Sequence, residues 1–144
     1  MTLTVAVETG LVGVGYEGLG LDAFVESLLG LGVGVLADVR LTPVSRKPGF
    51  SKRALAAAVG EAGIEYLHYP ELGNPRHNRA GYAWTGEKGA AARDAYRRML
   101  AGPPAAAAMR SLGEAARSAK VAVLCFEADQ RHCHRQQVLE ALAA

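Results

Sequence analysis

The 144-residue chain has only two cysteines, three phenylalanines and one tryptophan, and neither sign of charge prevails. Each scarcity excludes something. Two cysteines, Cys125 and Cys133, cannot build the disulfide framework of a small secreted domain. They stand eight apart, so they are not a Cys-x-x-Cys redox pair either. No apolar run reaches the roughly 18 residues of a membrane span. The first residues lack the basic start and apolar core of a secretory signal. A cytoplasmic protein with reduced thiols and no membrane contact is expected. The balance of 16 basic against 14 acidic residues, net +2, argues against wholesale wrapping of a nucleic-acid duplex.

What is present is apolar material in strand-length and helix-length pieces. Half the residues are hydrophobic, enough for one sizeable core, and residues 1–144 are expected to form a single domain. Leu11 to Tyr16, Val33 to Val39, Ile64 to Tyr69 and Val121 to Phe126 read as buried strands. Residues 1–10 read as irregular. Helices are predicted over Leu21–Leu31, from the cap Ser51 to about Ala62, over about Gly86–Leu100 and over Pro103–Ala119. A last helix carries Val138, Leu139 and Leu142, and Asp129 is a candidate for its cap. Strands alternating with helices predict an α/β fold: a mainly parallel sheet with helices on both faces, Rossmann-like and three-layered.

In such sheets ligands bind at the carboxyl ends of the strands. Polar residues gather there: Tyr16 and Glu17, Asp38 and Arg40, His68, and Glu127. Residues 125–135 are the densest stretch, with Cys125, Glu127, Asp129, His132, Cys133, His134 and Arg135. Cys133, placed in or near the start of the last helix and flanked by His132, His134 and Arg135, has the surroundings that favour a thiolate. An inert buried cysteine is the plain alternative. The phosphatase spacing Cys-x5-Arg is absent, since residue 139 is leucine. Cys125, His132, Cys133 and His134 are zinc ligands by type, but their spacing fits no common zinc motif, and no metal is expected. Gly13-x-Gly15-x-x-Gly18 overlaps a strand and is a poor dinucleotide fingerprint, so the cofactor is left unknown.

Cations cluster in two further places. Arg40, Arg46, Lys47, Lys52 and Arg53 surround one loop, and Arg76, His77 and Arg79 lie in the long polar segment 70–84. Arginine forks suit phosphate or carboxylate, although Arg40 could instead pair with Asp38 or Glu127.

Several blocks of residues resemble one known family, the DUF488 proteins. They are Gly15-Tyr16-Glu17-Gly18, Asp38-Val39-Arg40 with Pro43 and Ser45-Arg46, and Phe50-Ser51-Lys52. They continue with Gly63-Ile64-x-Tyr66-x-His68, Glu71-Leu72-Gly73-Asn74-Pro75, Leu124-Cys125-x-Glu127 and Cys133-His134-Arg135. The resemblance implies a small α/β domain with parallel-sheet character and supplies no established reaction. Many relatives carry Gly-His-Ser where this chain has Gly15-Tyr16-Glu17, so chemistry by a histidine there need not be shared.

Three readings follow. In the first, an anionic ligand, a phosphate-bearing nucleotide or nucleic-acid end, is held at the rim by Arg40, Arg46 and Arg135. Tyr16, His68 and His134 border it, and segment 70–84 brings Arg76 and Arg79 as a lid. Glu127 and Cys133 would then be base and nucleophile. The second is a nucleic-acid-binding module without catalysis, using the cationic loops with Tyr82 and Trp84 for stacking. The third is a structural or interaction protein in which the polar corner only ties the fold together. A homodimer is a further expectation, symmetric dimers being the commonest oligomers.

Overall fold

The computed structural model describes residues 9–74, 78, 87–125 and 134–143, without the side chains of residues 88, 125, 136, 137 and 143. The chain runs through β1 (Gly10–Gly15), α1 (Leu21–Gly30), β2 (Val35–Asp38), α2 (Lys52–Glu61) and β3 (Glu65–His68). A 3-10 turn (Pro70–Leu72), α3 (Glu87–Leu100), α4 (Pro103–Ser118), β4 (Lys120–Cys125) and α5 (Arg135–Ala143) follow. The four strands make one all-parallel sheet in the order β1-β4-β2-β3. The last strand of the chain therefore lies between the first two.

Side chains alternate across the sheet, so each strand feeds two cores. Val14, Leu36, Ala122 and Leu124 pack with Phe24 and Leu28 of α1 and Leu55 and Val59 of α2. Val35, Ala37, Val39, Val121 and Val123 pack on the other side with Tyr96 and Leu100 of α3, Leu112 of α4 and Val138 of α5. Burial on both faces is why these strands read as continuous apolar runs rather than alternating ones. The expected three-layer α/β arrangement is what forms.

The layering also positions the candidate site. The chain leaves β1 and β2 toward α1 and α2 on one face, and leaves β4 toward α5 on the other. Above the carboxyl end of β4 the connections diverge, the geometry at which open parallel sheets bind ligands.

Two helix starts bear on local expectations. Helix α5 is described from Arg135 on, and the capping candidate Asp129 and Cys133 lie outside the described residues. The cap position falls to His134, whose carbonyl accepts from Val138 N at 3.3 Å. Ser51 does precede α2, but its hydroxyl does not cap the helix. It closes the preceding loop instead, accepting from Ser45 N at 3.0 Å and donating to Ser45 O at 3.3 Å.

Candidate functional site

Leu36, Asp38 and Arg40 share one side of β2 by the two-residue period. Leu36 is core, and the next two positions on that side are a buried ion pair. Arg40 Nε donates to Asp38 Oδ1 at 2.9 Å and Nη2 to Oδ2 at 2.7 Å. The backbone N of Arg40 also donates to Oδ1, at 3.1 Å. Nη1 donates to the Tyr16 hydroxyl at 3.1 Å and to the Phe50 carbonyl at 2.7 Å. Four of the five donors that a guanidinium carries are thus engaged within the fold. Asp38 is wholly buried and Arg40 is 8% exposed.

Tyr66 joins from β3 by donating its hydroxyl to Asp38 Oδ2. The strand register explains why. Asp38 pairs with His68 and Leu36 with Tyr66, so Tyr66 lies one diagonal step from the carboxylate. Burial, then the bond to Asp38 and its negative charge, hold the Tyr66 phenol above its ordinary pKa, with Arg40 pulling the other way. Burial alone would push the Arg40 guanidinium down, but the hydrogen bonds and charge of Asp38 outweigh it, and Tyr16 adds to them. The Tyr16 ring stacks on Phe50 at 4.4 Å between centroids, and Arg40 lies 5.5 Å from its centre.

Beyond Asp38 the ladder of β2 passes from backbone to imidazole. His134 Nε2 bonds Val39 O at 2.8 Å, and His68 Nε2 bonds Arg40 O at 2.8 Å. A carbonyl can only accept, so both rings carry their proton on Nε2 in these bonds. Arg135 is buried and donates Nη1 to Val14 O of β1 at 2.6 Å. His134 also meets Tyr96 of α3 edge to face at 5.3 Å.

The loop from Val39 to Ser51 folds over this corner through Phe50, which is fully buried. Its cations face outward to different degrees. Lys47 is half-buried, with Nζ 3.4 Å from Tyr16 O and 5.8 Å from the centre of the Phe50 ring. Arg46, Lys52 and Arg53 are exposed. Between this loop and the start of α1 lies an open cleft of about 460 Å³, lined by Gly20–Ala23 and Lys47–Gly49.

Of the residues expected at the site, Tyr16, Arg40, His68, His134 and Arg135 converge on the carboxyl ends of β1 and β2, and Arg46 stands apart on the loop. Arg76, Arg79, Glu127 and Cys133 lie outside the described residues. The near part of segment 70–84 is fastened down. Leu72 is fully buried, Tyr96 donates its hydroxyl to Leu72 O, and Asn78 Nδ2 donates to Asn74 Oδ1 at 3.0 Å and Ala92 O at 2.8 Å. Lys47, read from the sequence only as one of a cation cluster, and Tyr66, read only within a family block, were not among the expected site residues. Tyr66 could have been found, since it is two residues before His68 on the same side of its strand.

Asp38, the acid some twenty residues beyond the Gly13-x-Gly15-x-x-Gly18 pattern, is occupied by Arg40 and Tyr66, and Gly13 and Gly15 pair with β4. Among the described residues no group of three or more His, Cys, Asp or Glu is placed to hold a metal ion. No described helix is long and apolar enough to cross a membrane.

No curated protein and no solved structure matches the chain. One family model does, over residues 20–142, which takes in β2, the Asp38–Arg40 pair, the loop after it, β3, β4 and α5 but leaves β1 and Tyr16 outside. The chain belongs to the DUF488 family, a domain of unknown function.

Proposed function

We propose that the carboxyl rim binds an anionic, phosphate-bearing ligand, a nucleotide or a nucleic-acid end, on the loop between β2 and α2. The observation that carries this is the charge at the start of α2. Lys52 and Arg53 open the helix and Arg46 precedes it, while the first turn has no acidic residue and the cap hydroxyl is turned back into the loop. A cation at this end opposes the helix dipole by roughly 0.3–1 kcal/mol, whereas an anion there is favoured. Three exposed cations at one amino end make sense when an anion shares it.

In this reading Arg40 does not grip the ligand. Its bond to Phe50 O shapes the loop that presents the other cations, and Arg135 likewise serves the fold through Val14 O. Glu127 and Cys133 keep the roles of base and nucleophile on the bound anion. The test is a thermal-shift screen of nucleotides, phosphorylated sugars and short oligonucleotides against wild type and the triple variant Arg46→Ala, Lys52→Ala, Arg53→Ala. A ligand at a hundred times its Kd stabilises by about 2.7 kcal/mol. That gain should vanish in the triple variant. Turnover of any ligand found, abolished in Glu127→Gln or Cys133→Ser, would establish the catalytic part. Absence of a shift with every phosphate compound refutes the proposal.

The engagement of Arg40 favours a second reading, in which the Asp38–Arg40–Tyr16–Tyr66 network serves stability alone. Under it Arg40→Ala lowers Tm and no ligand is found.

A further inference from the structure

The cleft between the loop and α1 narrows the class of ligand. Its walls include the apolar side chains of Leu21, Ala23 and Pro48 together with two charged groups, Lys47 and Asp22. Gly49 in its lining packs directly on Leu21, since a Cβ there would lie 2.5 Å from Leu21 Cδ2, and it has φ +86°. Its volume, about 460 Å³, is in the range of small-molecule sites and far below the footprint of a nucleic-acid strand.

Lys47 is the group in it best prepared for a ligand. The ammonium carries three donors, and Tyr16 O, at 3.4 Å, is its one hydrogen-bond acceptor among the described residues. The Phe50 ring beneath it fixes its position without consuming a donor. Asp22 is exposed and forms no ion pair with Lys47. The cleft thus offers one half-buried ammonium, apolar walls and a carboxylate at its mouth.

From this juxtaposition we infer that the ligand is a small phosphomonoester, one per chain, with its phosphate on Lys47 and its organic part against Leu21 and Pro48. The inference rests on the anion-binding reading above and sharpens it. Lys47 is the one cation in the lining of this cleft, Arg46, Lys52 and Arg53 lying outside it, and a single seated ammonium suits one terminal phosphate. Asp22 opposes the bound charge and thereby limits affinity.

The experiment is calorimetric titration with a nucleoside 5′-monophosphate, inorganic phosphate and a short single-stranded oligonucleotide. The proteins are wild type, Lys47→Met, Lys47→Arg, Asp22→Asn and the triple variant of Arg46, Lys52 and Arg53. The expected result is one monophosphate per chain. Its affinity should fall roughly tenfold or more in Lys47→Met, survive in Lys47→Arg and rise in Asp22→Asn. Salt dependence should be shallow, unlike the steep dependence of polyanion binding. Survival in Lys47→Arg separates loss of the charge from loss of the fold.

Tighter binding of the oligonucleotide, lost in the triple variant and untouched in Lys47→Met, overturns this inference while leaving the anion-binding reading intact. Phosphate binding indifferent to both Lys47 and Asp22 also overturns it. No binding by any of the three probes overturns both.

Discussion

His134 and Arg135, neighbours in sequence, bond the backbone on opposite sides of β4. His134 Nε2 reaches Val39 O just past β2, and Arg135 Nη1 reaches Val14 O in β1. With strand order β1-β4-β2, these two side chains span the strand from which their own segment departs. The start of α5 is thereby fixed at the point where the chain connections diverge. Both side chains that the sequence marks as site candidates serve first to close the sheet's carboxyl edge.

Removing either anchor should destabilise the fold. Arg135→Met leaves the buried Val14 carbonyl without this donor, and His134→Phe does the same to Val39 O. A buried polar group left without its partner costs roughly 1–3 kcal/mol. Urea unfolding of each variant should show a loss of that size. Because both bonds fasten one helix end, the double variant should lose less than the sum of the two. Full additivity would mean that they act on separate elements.

The Asp38–Arg40 pair should be worth more when broken than when replaced. Asp38→Asn leaves a guanidinium that is 8% exposed without its carboxylate, and breaking a buried pair from one side costs roughly 3–5 kcal/mol. The double variant Asp38→Leu, Arg40→Met should recover a large part of that loss. A double-mutant cycle by denaturant unfolding measures the coupling, and a value near zero would contradict the geometry.

Stability should decline in alkaline solution through Tyr66. Its phenol pKa is raised in the folded protein, chiefly by burial and then by Asp38. Above the ordinary phenol pKa of about 10, the unfolded chain releases this proton while the folded chain still holds it. The folded state then binds more protons, so stability falls as pH rises from there toward the folded pKa. Tyr66→Phe should flatten that part of the curve. In wild type, phenolate absorbance should show a late-ionising phenol that is missing in Tyr66→Phe.

Two glycines should respond in opposite directions to alanine. A Cβ on Gly73 would lie 2.4 Å from Leu41 Cα, a backbone atom that cannot yield without moving the loop over the site. Gly73→Ala should cost roughly 1–3 kcal/mol or more. Gly113, inside α4, would meet only Leu142 Cδ2 at an ordinary 3.7 Å. Gly113→Ala should therefore raise stability by up to about 1 kcal/mol through helix propensity. Thermal melts of the two variants check both signs.

The order of elements, the parallel sheet and its two helical layers were legible in the sequence by itself. These follow from local periodicity and from the short connections between runs such as Val33–Val39 and Val121–Phe126. The polarity of the carboxyl rim was legible for the same reason, because Tyr16, Asp38, Arg40 and His68 close their own strands. What those side chains do was decided only by tertiary structure. Arg40 turns inward because Asp38 lies two residues back on the same side and Tyr16 and Phe50 arrive from other elements. Tyr66 joins because β3 pairs with β2 in a register that sets His68 against Asp38. The anchoring of α5 was not legible in its own segment. The bonds of His134 and Arg135 to strands far away in sequence are the constraint that local reading lacks. A strand order that inserts β4 between β1 and β2 is a property of long-range pairing, and with it came the identity of the residues that meet.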